Sequence, residues 1–230
     1  MSGETPTSTP ARAATAPFAT GYRLLLPAQW EQVPLRQGTE EAVRRILREA
    51  FARISPEAPP DTVGPYKREL ERRFRAAVAE AQRGRALDVY LPVRPVGESN
   101  LGASIVVSEA LLPRHRRKGH GGPPASPTDV AVQLLTRNAP AAVGEADLSS
   151  GEIDGSLAVR REYVAAAGPS RGAELATRRV EYIVSVPGDP ARWFVAAFST
   201  VGAGDPGDEL AEALVTWFDA LMETFRWRYA

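Results

Sequence analysis

Apolar residues recur at helical spacing over Thr39 to Ile54, where Ala42, Val43, Ile46, Leu47, Ala50, Phe51 and Ile54 share one face. That spacing predicts a helix, with Glu40 and Glu41 in its first turn complementing the dipole and Ser55-Pro56 ending it. A Pro-rich break, Pro56 to Pro65, precedes a second predicted helix, Tyr66 to Arg83. Its stripe of Leu70, Phe74, Val78 and Ala81 is narrow and the rest is Arg and Glu, so it belongs on the surface; Gly84 is its stop signal. Strand-like runs fall at Tyr22 to Leu26, at Arg85 to Val93, with Leu87, Val89 and Leu91 on one face, at Ala103 to Leu112 and at Ser156 to Ala166. The second and third are expected to pair across the loop Pro95 to Gly102. Thr128 to Arg137 reads as a short helix, and Gly144 to Gly155 as an acidic loop.

The last third carries the clearest pattern. Val180, Tyr182, Val184 and Val186 alternate with Glu181, Ile183 and Ser185, and Pro187-Gly188-Asp189-Pro190 is dense turn chemistry. Trp193 to Phe198 is apolar on both faces, which predicts a central strand covered on two sides. A final helix is expected from Asp205-Pro206, an N-cap acid followed by Pro at the first position. Leu210, Leu214, Trp217, Phe218, Leu221 and Phe225 form its apolar face, read as a seal on the core, and Arg226 and Arg228 its end. Trp227, at the very end, is expected to be partly exposed.

Composition narrows the class. The 230 residues suit one domain with a tail: residues 1–19, rich in Pro, Thr and Ala, read as disordered, and 20–230 as a single α+β domain. The 28 basic and 28 acidic residues balance, so no global field draws nucleic acid or anionic lipid. Absence of cysteine excludes disulfides, thiolate catalysis and zinc–thiolate sites. The first 20 residues hold neither a basic n-region nor an apolar core, and no later run reaches the length of a membrane span. The expected location is cytoplasmic.

Motifs that suggest chemistry weaken on inspection. Gly202, Gly204 and Gly207 spell G-x-G-x-x-G between a strand and a helix. Asp205 and Asp208 place negative charge where pyrophosphate would sit, and no second parallel strand follows to carry a ribose-binding acid. The motif therefore reads as a turn into a capped helix. Gly168, Ser170 and Gly172 spell G-x-S-x-G, but both histidines precede the serine and a strand follows it, so it reads as a loop. His115 and His120 sit among cations that repel a metal. No catalytic residue, cofactor or metal is expected. One local feature stands out: Arg114, Arg116, Arg117 and Lys118, a possible contact for an anion or an acidic partner. It lacks the exposed aromatics and second basic face of a nucleic-acid module.

The segments Val180-Glu-Tyr-Ile-Val-Ser-Val-Pro-Gly, Trp193-Phe-Val-Ala-Ala-Phe-Ser-Thr and Trp217-Phe-Asp-Ala-Leu-Met-Glu-Thr-Phe-Arg-Trp227 resemble PsbP-like proteins. Leu25-Leu-Pro-Ala-Gln-Trp30 resembles their first strand and the Trp after it. The likeness covers about 50 residues, with a weaker echo at Tyr22 to Leu35, and does not extend to the two helices at 39–83 or to the basic loop. It implies a mostly antiparallel β-sheet flanked by helices on both faces, an α/β/α sandwich shared with a Ran-binding nuclear import factor. The family has no shared catalytic residues, and its members act by binding: to a photosystem, a small GTPase or cell-envelope partners. Many bacterial members are lipoproteins, whereas this chain has no lipid-attachment cysteine. The resemblance therefore implies a non-enzymatic, protein-binding or accessory module of the cytoplasm. The alternative is an enzyme or small-ligand binder with a cleft between sheet and helices. Weaker still is an anion or nucleic-acid contact through residues 114–118.

Overall fold

The computed structural model describes residues 18–97, 100–111, 129–131, 133–134, 142–168 and 174–230. In chain order the elements are β1 (Ala19–Arg23), β2 (Trp30–Pro34), α1 (Thr39–Ala52), α2 (Pro60–Arg83), β3 (Ala86–Pro92), β4 (Ala103–Leu111), β5 (Ala142–Ile153), β6 (Ser156–Ala165), β7 (Thr177–Val186), β8 (Asp189–Thr200), α3 (Glu209–Glu223) and β9 (Arg226–Tyr229). Residues 129–131 and 133–134 are helical. Seven strands form one antiparallel sheet in the order β2-β3-β4-β8-β7-β6-β5, with β8 at its centre, and β1 pairs with β9 in a separate ribbon. The predicted hairpins β3–β4 and β7–β8 are both present.

The sheet is apolar on both faces, and alternate residues choose between two helix layers. On β4, Ile105 and Val107 pack with α3 while Val106 packs with α1 and α2. On β8, Phe194, Ala196 and Phe198 join the α3 layer, whereas Trp193 and Val195 turn to the other face, with Ile183, Val159 and helical Ala131. The chain is thus α+β, with helices on both faces of an antiparallel sheet. Among the described residues no helix is long and apolar enough to cross a membrane.

Four boundaries differ from the pattern-based reading, each for a local reason. The first strand is Ala19–Arg23, earlier than Tyr22 to Leu26, because its partner is β9, with Tyr22 opposite Trp227. The second helix begins at Pro60, not Tyr66: proline fits the first turn, where no intrahelical donor is needed, and Pro65 removes only one bond near the end.

Residues 144–155 are not a loop but most of β5, which pairs with β6. Its turn is Asp154-Gly155, with φ of 47° and 71°, the left-handed pair of a type I′ hairpin. As an edge strand with little to bury, β5 shows no apolar alternation. The last helix is capped by Asp208 rather than Asp205, and it stops at Glu223. Phe225 and Trp227 are buried because the chain then crosses the α3 face as β9. The Trp227 indole N–H donates to Ser156 Oγ at 2.9 Å, so this residue is sealed rather than partly exposed.

Candidate functional site

The basic cluster Arg114, Arg116, Arg117 and Lys118, both histidines, and residues 169–173 of the G-x-S-x-G segment lie outside the described residues. The G-x-G-x-x-G turn lies within them. Its free amides face the chain's own carboxylates: Ala203 N–H and Ala211 N–H donate to Asp208 at 2.6 and 2.7 Å, and Gly207 N–H donates to Asp205 at 2.8 Å. Those backbone bonds, from Ala211 first and Ala203 second, hold the Asp208 carboxyl below the usual range. A phosphate would have to displace them, so the turn is a cap. Among the described residues no group of three His, Cys, Asp or Glu side chains could hold a metal.

Among the described residues the two larger concavities lie on opposite faces of the sheet, and a smaller one of about 240 Å³ lies beside Arg160, Tyr182 and Asp219. The first is an apolar cleft of about 630 Å³ between the helices and the strand ends. Helix α1 contributes Ile46, Leu47 and Ala50 at helical spacing, and α2 contributes Leu70, Arg73 and Phe74. Leu91 to Val93 at the end of β3, with Leu101, Ala103 and Val201, complete the wall. A Cβ at Gly102 would come to 2.5 Å from Val201 Cγ2, so a larger residue there would force the Val201 side chain to shift. The floor carries Ser104 and Ser199, which face each other across β4 and β8. Neither hydroxyl has a hydrogen-bond partner among the described residues. Arg73 lies at the rim, its Nε donating to Glu69 at 2.7 Å.

The second concavity is a polar chamber of about 750 Å³ beneath the β1–β9 ribbon. Tyr22 Oη donates to Asp88, and Gln32 Nε2 donates to the other carboxylate oxygen at 2.6 Å. Tyr90 Oη lies 2.8 Å from Tyr22 Oη; the Tyr22 proton is committed to Asp88, so Tyr90 is the donor of that pair. Burial first, then the proximity of Tyr90 and Asp88, pushes the Tyr22 phenol well above its ordinary value. Burial also raises that of Tyr90. Arg192 closes one end, donating to the Ala19 carbonyl and to Glu109, with the Phe18 ring 4.9 Å from its guanidinium. Sequence reasoning missed this chamber. A β-bulge between Ala86 and Asp88 turns Leu87 toward the α3 side, away from Val89 and Leu91. The available signal was Asp88 beside Tyr90 in an otherwise apolar strand.

A third polar group is structural. Arg160 donates to Asp219 of α3 and to Glu162, which also accepts from Arg178; Tyr182 Oη donates to Asp219. Burial alone would raise the Glu162 pKa, but the Arg160 and Arg178 hydrogen bonds together outweigh it and hold the carboxyl below the usual range. This contribution is fully present above the unfolded-state pKa of about 4.3 and is lost as pH falls through the lower folded value. Partial solvent access screens it. Glu162→Gln is therefore expected to cost about 1 kcal/mol at neutral pH, with the difference from the parent vanishing as pH falls through the lowered folded value. Urea unfolding at stepped pH checks both.

No family model matches the chain, and no curated protein matches it. Solved structures do. The chain is similar to LpqN, involved in cell envelope biogenesis of Mycobacterium tuberculosis, with 14% identity over 90% of this chain and 85% of that one, at a TM-score of 0.42. It is also similar to the cyanobacterial PsbP (CyanoP) of Synechocystis sp. PCC 6803, with 12% identity over 98% of this chain and 100% of that one, at a TM-score of 0.40. Both matches run over most of the chain, and the site rests on this chain's own side chains.

Proposed function

We propose that the chain is a non-enzymatic binding or accessory protein that holds a small apolar molecule in the cleft between α1, α2 and the ends of β3, β4 and β8. One observation carries this reading: a cleft of about 630 Å³ whose walls are aliphatic and aromatic and whose polar groups are few. Ligand sites typically measure about 300–1,000 Å³ and have this make-up. Ser104 and Ser199 supply hydroxyls to orient a bound molecule, and no base among the described residues hydrogen-bonds to either, which favours binding over nucleophilic catalysis. The setting we propose is the cytoplasm, since a cysteine-free chain suits a reducing compartment. Titration with the fluorescent apolar probe 1-anilinonaphthalene-8-sulfonate, followed by displacement with dodecanol, tests the reading. Saturable one-to-one binding reversed by dodecanol is expected; no saturable binding sinks it.

A second reading, supported by four cations within five residues of the sequence, is contact with an acidic protein partner through Arg114, Arg116, Arg117 and Lys118. Replacing the four by Ala should abolish salt-sensitive binding to an acidic polypeptide such as poly-glutamate. Unchanged binding removes this reading and leaves the cleft reading intact.

A further inference from the structure

Asp88 is only 9% exposed, yet its partners are neutral: the Tyr22 hydroxyl and the Gln32 amide. Among the described residues no cation lies within 4.0 Å of it. A buried carboxylate is costly unless a charge or a full set of donors compensates it. It offers roughly four acceptor positions, of which two are filled here. The aromatic side chains of Tyr22, Tyr90 and Phe194 line the same chamber, a wall that favours a cation.

The opposite sign sits at the rim. Arg23, Arg36 and Arg228 line the chamber and are exposed. Arg36 shares Glu109 with Arg192, so that one acid is divided between two guanidinium groups. Neither Arg23 nor Arg228 makes a side-chain hydrogen bond or ion pair among the described residues, although Arg228 lies close enough to act electrostatically on Tyr90. The chamber therefore presents a negative floor below a positive rim; a singly charged ligand would satisfy only one of the two, and an uncharged one neither.

We propose that the chamber beneath β1 and β9 binds a small zwitterion, its ammonium group against Asp88 and its carboxylate at the rim arginines. Such a ligand supplies the missing counter-charge to Asp88 and meets the planar fork geometry that arginine offers a carboxylate. The site is separate from the apolar cleft, on the opposite face of the sheet, and stands whether or not the cleft is occupied.

Calorimetric titration of the full chain with glycine, 4-aminobutyrate and 6-aminohexanoate reads the required span, with butyrate and butylamine as single-charge controls. At least one amino acid is expected to bind about tenfold or more tightly than both controls. Asp88→Asn and the double variant Arg36→Gln/Arg228→Gln should each weaken it by about tenfold or more. The proposal is overturned if no amino acid exceeds the controls, or if the arginine variant binds as the parent does. Thermal melting shows whether Asp88→Asn folds; the arginine variant changes only exposed side chains and decides the matter if it does not.

Discussion

Phe218→Ala should destabilise the fold by roughly 3–5 kcal/mol, the range for deleting a large buried aromatic. Phe218 is fully buried on α3. Its ring stacks on Phe198 of the central strand at 4.9 Å and meets Tyr182 of β7 edge-on at 5.8 Å. Removing it takes away the knob that locks the C-terminal helix onto the middle of the sheet, where Phe198, Val180 and Leu214 belong to the same cluster. A collapse that filled the void would need α3 to shift, and α3 is held by the Arg160 to Asp219 ion pair and by the Asp208 cap. Most of the cavity cost should therefore remain. Phe218→Leu keeps much of the volume and should cost about 1.5 kcal/mol or less. Urea unfolding measures both; a loss below about 1 kcal/mol for the alanine variant would show that α3 is not seated as described.

Much of this architecture was legible in the chain because burial leaves a strong periodic trace. The α1 stripe, the β7 alternation and the two-faced run from Trp193 to Phe198 each matched one element, and together they placed β8 at the centre. What stayed hidden was set by long-range pairing or by exposure. β9 was read as helix because Phe225 continues the four-residue spacing of Trp217 and Leu221, although the chain turns there and Trp227 is held by β1 and Ser156, far away in sequence. β5 looked like a loop because an edge strand has little apolar alternation to show, and its Asp154-Gly155 turn was the overlooked signal.

The sites were less legible than the fold. The G-x-G-x-x-G turn was correctly demoted on the charge of Asp205 and Asp208, and the structure adds that those same carboxylates fill the amides. A cleft between sheet and helices was foreseen as an alternative, without its residues. Ile46, Leu47 and Ala50 read as ordinary core, since a cleft wall and a core face have the same composition. Asp88 was passed over because its partners, Tyr22 of β1 and Gln32 of β2, are brought to it by packing between segments far apart in sequence.

The central claim is that the cleft between α1, α2 and the strand ends is the binding element, and Ala50→Trp tests it. Ala50 is half-buried on α1 and lines the cleft beside Ile46 and Leu47. An indole at this position occupies the space a ligand needs, while the open side of the cleft spares the packed core. Affinity for the anilinonaphthalene probe should fall by about a hundredfold, some 2.7 kcal/mol. Stability should change by less than about 1 kcal/mol, which for a chain of this size moves the melting midpoint by no more than roughly 2–4 °C. Paired titrations of the parent and Ala50→Trp, each with its melting curve, give the answer. Lost binding in a variant that still folds is the predicted result; binding at the parent's affinity would contradict the account and place the probe elsewhere on the protein.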